Sequence, residues 1–382
     1  MLKHQTTLCL SGACPIPNTD VLLLPSGKMV KPKQSGDTLT HIECTWKYEE
    51  HRNRTGKEPS WVDTVPKDQL AEIRLTYYLR KCEFQICGKY PYTGISYLVM
   101  QDGLCEQAAE TFNLYRLDGI HQLGFLQAPN FDQLMVTQKL SQGNRWIHSL
   151  DVMTIATLMG HNNRLSQSEL NTLRLAGLTH DMCTPAGGDS VKLIDLRNLD
   201  EDANYPAQLD ATEGWPRIAK EFAVDRELLV STIANQGLLG ELLDIADKIA
   251  YTARDLHYCL HHLQSGKRQG YEGPAMLFSL VEQHPLVCSL WDSVVVRDGK
   301  PVFMDPERLF VFLKVRTLMF RELYYSSTTR FGEYLIAELL AKLLYKRGVL
   351  TKEKLLSMRD EELFTILQKQ FGEILFRIVS LG

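Results

Sequence analysis

Beyond residue 104 the apolar residues recur at helical spacing, block after block. From Trp146 to Met159, Ile147, Leu150, Ile155 and Leu158 mark an apolar face, which predicts a helix. Gln142-Gly143-Asn144 separates it from an earlier helix expected over Leu134 to Leu140. Leu165-Ser166-Gln167-Ser168-Glu169 carries a Ser cap with an acid in the first turn, so a further helix is expected from there to about Asp181. Helices follow at Trp215 to Phe222, Arg226 to Asn235 and Leu238 to His262. Glu307 to Leu381 reads as mostly helical with a break at Arg347-Gly348-Val349. Between these blocks, residues 182–213 read as irregular, with Pro185, Gly187, Gly188 and Pro206, and residues 263–275 read as a loop. A loop as long as the first is usually functional.

The first 112 residues lack this periodicity. Pro15-Ile16-Pro17-Asn18 and Pro25-Ser26-Gly27-Lys28 are turn signals. Short strands are expected at Asp20 to Leu24, His41 to Trp46 and Gly94 to Met100, and a helix at Asp68 to Arg80. The expected fold is mainly α: a helical bundle with a C-terminal helical extension and a mixed α/β N-terminal region. The segments are 1–112, 113–265 and 266–382.

Composition narrows the function classes. The net charge of −4, with basic clusters only at Lys28 to Lys33 and Lys342 to Arg347, gives no footprint for nucleic acid. No apolar run approaches the roughly 20 residues of a membrane span, and Met1 to Thr7 lacks a signal-peptide layout. A cytoplasmic protein without a membrane partner is expected. Nine cysteines, an odd number spread along the chain, fit reduced thiols. Cys9/Cys14 and Cys82/Cys87 share a spacing, which a four-thiolate zinc site or plain burial of small apolar residues would each explain.

The candidate chemistry lies on the helical blocks. His148, then the adjacent pair His180-Asp181, then Asp247 offer imidazole and carboxylate ligands in order, each on a helix. Such ligands suit a hydrolytic metal ion, and a helical bundle can hold it in its core. Each residue alone is commonplace; the ordered set is what points to a metal site. Asp247, Tyr251 and Asp255 are spaced four apart and share a helix face, with Lys248 at its edge. That face suits a bound anion carrying a sugar-like hydroxyl. Arg316, Phe320 and Tyr324 repeat the spacing, so Arg316 could clamp a phosphate and Tyr324 stack on a base.

These segments resemble the HD-domain metal-dependent phosphohydrolase superfamily, and within it the deoxynucleoside triphosphate triphosphohydrolases. Asn144-Arg145-Trp146-Ile147-His148-Ser149-Leu150 is similar to that family's Asn-Arg-Phe-Glu-His-Ser-Leu. Asp247-Lys248-Ile249-Ala250-Tyr251-Thr252-Ala253-Arg254-Asp255-Leu256-His257 is similar to its Asp-Lys-x-x-Tyr-x-x-Arg-Asp-x-His, and Arg316 to Tyr324 to its Arg-x7-Tyr. The resemblance covers roughly residues 120–375. It implies His148, His180, Asp181 and Asp247 as metal ligands, and Arg145, Lys248 and Arg316 as phosphate contacts. Tyr251 and Asp255 would meet the sugar and Tyr324 the base. It further implies a divalent ion (Mn, Mg, Fe, Zn or Ni), a nucleotide substrate and a homo-oligomer.

The chain departs from the family at the catalytic histidines. Where the family reads His-Asp-Leu-Gly-His with a further His five residues on, Thr184 and Asp189 stand here. Near the place of the family's later His-Glu pair stands Thr212-Glu213. Asp189, and after it Glu213, are therefore the candidate catalytic acids. Asp189 needs surroundings that raise its pKa for that role. The leading expectation is a dNTP triphosphohydrolase-like enzyme that releases nucleoside and triphosphate. The alternatives are a nucleotide phosphomonoesterase and a non-catalytic nucleotide sensor that keeps the metal site.

Overall fold

The computed structural model describes residues 103–122, 143–267, 283–325 and 333–380, together with three two-residue strands near the N-terminus. Those strands, β1 (Cys14–Pro15), β2 (Leu22–Leu23) and β3 (Met29–Val30), form an antiparallel sheet in that order. β2 falls inside the strand expected at Asp20 to Leu24. The expected strands at His41 to Trp46 and Gly94 to Met100, the helices at Asp68 to Arg80 and Leu134 to Leu140, and the cysteine quartet lie outside the described residues.

Helices dominate the rest. They are α1 (Gly103–Thr111), α2 (Arg145–Asn162), α3 (Gln167–Thr179), α4 (Gly188–Lys192), α5 (Leu196–Leu199), α6 (Glu201–Ala211), α7 (Trp215–Glu221), α8 (Arg226–Ile233) and α9 (Gly237–Lys267). After α10 (His284–Cys288), the hairpin β4 (Val294–Arg297) and β5 (Lys300–Phe303) intervenes. Then come α11 (Pro306–Met319), the π-helical segments Phe320–Tyr324 and Tyr334–Ala341, α12 (Lys342–Lys346), α13 (Lys352–Ser357) and α14 (Asp360–Ser380). Among the described helices none is long and apolar enough to cross a membrane.

α2 is the centre of the bundle. Its start is fixed by Asn144, whose side-chain oxygen accepts from the Ile147 amide at 2.8 Å. Of its 18 residues, 13 are buried, distributed around the whole helix. The sequence predicted one apolar face; the helix is instead enclosed, which is the mark of a central element. Enclosure is tolerable because the polar positions find partners. Asp151 accepts from Arg254 of α9 through both oxygens, with both side chains nearly out of water.

α2 packs most closely against α3 and then against α9. α3 begins at the expected Ser166, as a full capping box: the Ser166 side chain bonds the Glu169 amide and Glu169 bonds back to the Ser166 amide. Gly177 sets the distance between α2 and α3. A Cβ there would stand 2.8 Å from Met153 Cα and 2.9 Å from Met153 N, so any side chain forces the helices apart. Overpacking of this kind costs about 1–3 kcal/mol.

Two expectations are corrected. The stretch 182–213 is not irregular but holds α4, α5 and α6. Asp195 caps α5 and Asp200 caps α6, each side chain accepting an amide three residues on, and these caps offset Pro206 inside α6. α9 also runs to Lys267, five residues beyond its expected end. α1 and the C-terminal helices share one hydrophobic core with the bundle, through Leu104, Ala108, Val315, Leu344 and Leu363. The core therefore reaches back across the boundary expected at residue 112.

The C-terminal helices fix the chain that follows His180-Asp181. Arg116 is buried and donates to the carbonyls of Met182, Thr184 and Met358 at 3.2, 2.7 and 3.1 Å. Asp360, at the start of α14, accepts from the Gly187 amide at 2.7 Å and from the His121 amide and ring. Gly187 and Gly188 take φ of 84° and 54°, a left-handed path that glycine follows without strain.

Candidate active site

α2, α3 and α9 bring three of the four expected ligands to one point. His148 Nε2, His180 Nε2 and an Asp247 oxygen all lie within 4.8 Å of one another. His148 Nε2 is 2.9 Å from Asp247 Oδ1 and 3.3 Å from His180 Nε2. The His180 ring is oriented from behind: Nδ1 lies 2.9 Å from the Gly177 carbonyl. A proton on Nδ1 leaves the Nε2 lone pair free, the arrangement that metal-binding imidazoles commonly use. The donor set of two imidazole nitrogens and one carboxylate fits a divalent ion.

Asp181, the fourth expected ligand, stands beside the cluster with Oδ2 3.5 Å from His180 Nε2. Arg145 spans its carboxylate at 3.1 Å to each oxygen, and the Thr184 hydroxyl donates to Oδ1 at 3.0 Å. Asp181 thus shares its charge between the cluster and Arg145. Burial alone would raise its pKa, but Arg145, with the two histidines, holds it far below the usual carboxylate range. Burial likewise opposes a charged His148, yet the hydrogen bond and charge of Asp247 raise its pKa. Asp247 is lowered in turn, against its own burial, by His148. The cluster is built to hold positive charge.

The cluster opens into a cavity of about 440 Å³. Tyr251, Asp255, Phe320 and Tyr324 form one wall. Tyr324 donates from its hydroxyl to Asp255 at 2.5 Å, and its ring meets Tyr251 and Phe320 edge-on at 6.3 and 5.0 Å. Arg316 donates to the Tyr251 hydroxyl at 2.6 Å and lies over the Phe320 ring at 4.6 Å. Arg316 therefore reaches the site through Tyr251 and is not among the residues that line the cavity. Lys248 is not among them either; it is paired with Asp244. Arg254, within the same motif, is a structural residue holding Asp151.

The two expected acids fare differently. Glu213 is exposed and does not line the cavity, because it sits in the turn that leads into α7. Asp189 does line the cavity, but it lies between two cations, Arg145 Nη2 at 2.5 Å and Lys192 Nζ at 2.7 Å. Its side chain is more than half exposed, so burial opposes the two cations only weakly, and they hold its pKa down at about 2. The expectation of a raised pKa is reversed. Asp189 stays ionised at neutral pH and serves to hold Arg145 and Lys192 in place.

Glu201 went unnoticed in the sequence. It lines the cavity at the first position of α6, in a stretch read as irregular. Its Oε1 accepts from Lys192 at 2.5 Å, while Oε2 is buried without a hydrogen-bond partner. Burial pushes its pKa up to about 7. No local motif marks such a residue; only the return of α6 to the cavity reveals it.

A mainly helical bundle thus gathers two histidines and an aspartate from three neighbouring helices at the edge of one cavity. Residues 145–252 match the family model of the HD domain. A solved phosphohydrolase from Bacteroides thetaiotaomicron shares the fold, with a TM-score of 0.51 and 18% identity over 71% of this chain and 68% of its own. No curated protein matches the chain in sequence.

Proposed function

We propose that the protein is a metal-dependent phosphohydrolase acting on a nucleotide. The reading rests on one observation: the His148, His180 and Asp247 cluster opens directly onto a wall of Tyr251, Asp255 and Tyr324. A metal centre beside aromatic rings and a sugar-facing carboxylate suits a phosphate ester on one side and a nucleoside on the other. The similarity of fold to a phosphohydrolase supports the same class. A divalent ion held there would polarise the phosphate and lower the pKa of water for attack on phosphorus. Arg145, oriented by Asp181 and Asp189, presents a fixed guanidinium to the charge that develops on phosphate oxygens. Lys248 and Arg316 stand behind the lining residues Asp244 and Tyr251, as contacts that a longer phosphate chain would recruit from them.

The motif resemblance favours a deoxynucleoside triphosphate cleaved at the α-phosphorus, with release of nucleoside and triphosphate. One observation favours a second reading, a nucleoside monophosphate. Among the described residues lining the cavity there are eight carboxylates against one guanidinium, Arg145. Such a lining repels a highly charged chain unless further cations join the substrate. The two readings separate by product. Deoxynucleoside triphosphates and monophosphates are incubated with the protein and a divalent ion, and products are resolved by anion exchange. Nucleoside with intact triphosphate is the expected result. Inorganic phosphate from monophosphates alone selects the second reading, and bound nucleotide without any product selects a sensor.

A further inference from the structure

The reaction requires a proton for the leaving oxygen, and the two acids expected from the sequence do not supply one. Glu213 faces solvent, and Asp189 is held as a carboxylate by Arg145 and Lys192. The remaining carboxylates of the cavity wall are almost all engaged. Asp181 is spanned by Arg145, Asp247 meets His148, Asp244 pairs with Lys248, Asp255 accepts from Tyr324 and Glu333 accepts from Ser190. Asp202 is exposed to solvent.

We propose that Glu201 is the catalytic residue that protonates the leaving oxygen. The inference rests on the phosphohydrolase reading and adds to it the group that completes the step. Glu201 is fixed in position: Asp200 caps α6 through the Ala203 amide, and Lys192 anchors Oε1 at 2.5 Å. Its side chain is 16% exposed and lines the same cavity as the histidines. Its Oε2 is the one buried carboxylate oxygen of that wall with no hydrogen bond among the described residues. An unpartnered buried oxygen is costly as an anion and tolerable as a protonated hydroxyl that awaits an acceptor. The groups that face it are Lys192, Asp189, Asp181, Arg145 and Cys183. Lys192 favours its ionised form; burial and the two aspartates outweigh that and keep the proton on Glu201 up to about pH 7.

The step balances. Water adds its oxygen to phosphorus as the bond from phosphorus to the leaving oxygen breaks. The electron pair of that bond stays on the leaving oxygen, which takes the Glu201 proton and departs as an alcohol. The proton lost by the attacking water passes to solvent, and solvent reprotonates Glu201.

The test compares wild type with Glu201→Gln, which keeps the shape and an oxygen to accept from Lys192. Two esters are used at matched metal content: the nucleotide, and a nitrophenyl phosphate whose leaving group needs no proton. Glu201→Gln should lose about a hundredfold or more in turnover of the nucleotide and little on the nitrophenyl ester. In wild type, nucleotide turnover should fall as pH rises through about 7, where Glu201 loses its proton, and the variant should lack that limb. Carbon-13 carboxyl spectra give a readout apart from turnover: a carboxyl titrating near neutral pH in wild type and absent from Glu201→Gln. Equal losses on both esters, no loss on either, or a Glu201 carboxyl already ionised below pH 5 would overturn the assignment. A wild-type protein that hydrolyses neither ester would instead sink the phosphohydrolase reading on which it rests.

Discussion

Alanine at His148 or Asp247 is expected to leave the purified protein without its ion and without turnover. The two side chains meet at 2.9 Å and stand with His180 as the converging ligand set. Replacing an outer-shell partner of a metal ligand typically costs 10–100-fold in affinity, and losing a ligand itself should cost about that or more. The effect should differ at Asp181. Arg145 occupies both its oxygens, so Asp181→Asn should weaken the ion less than His148→Ala and lower turnover by releasing Arg145. Elemental analysis of the variants at equal protein concentration checks the order. Full metal content in His148→Ala would place the ion elsewhere.

Asp151→Ala should be strongly destabilising. Asp151 and Arg254 sit at 1% and 7% side-chain exposure, joining α2 to α9. Removing the carboxylate leaves a guanidinium in a low-dielectric core. A pair broken in this way costs about 3–5 kcal/mol, a large share of the stability of an ordinary domain. The denaturant midpoint should fall accordingly. The paired change Asp151→Leu with Arg254→Met, which removes both charges at once, should recover much of the loss. A midpoint within about 0.5 kcal/mol of wild type for Asp151→Ala, the range of an ordinary surface change, would show that the pair carries no such role.

The parts of the fold that are written in local sequence were readable. The break at Asn144, the capping box at Ser166 and the apolar spacing of α2, α3 and α9 gave the central helices their type and approximate ends. The ordered His148, His180-Asp181 and Asp247 set pointed to one centre, and three of the four converge there. What was hidden depends on tertiary contacts. Pro206 and the glycines at 187 and 188 suppress the helical signal over 182–213, while the caps at Asp195 and Asp200 and the packing of that stretch restore helix. Asp189 looked free to be an acid because its neighbours in sequence do not include Arg145, 44 residues away and 2.5 Å distant in space. Arg254 stood in the motif without an assigned role, and the fold gives it to Asp151. Glu201 carried no signal, since its chemistry comes from burial and from Lys192.

In the proposed function, one metal centre built from α2, the end of α3 and α9 drives phosphate ester hydrolysis. The most direct measurement is to strip the protein with a chelator, add back a divalent ion in steps, and follow nucleotide hydrolysis at each step. Activity should rise linearly and break near one ion per chain, and Asp247→Ala should show no rise at any ratio. Hydrolysis that is undiminished in the stripped protein, or equal in Asp247→Ala, would contradict the account.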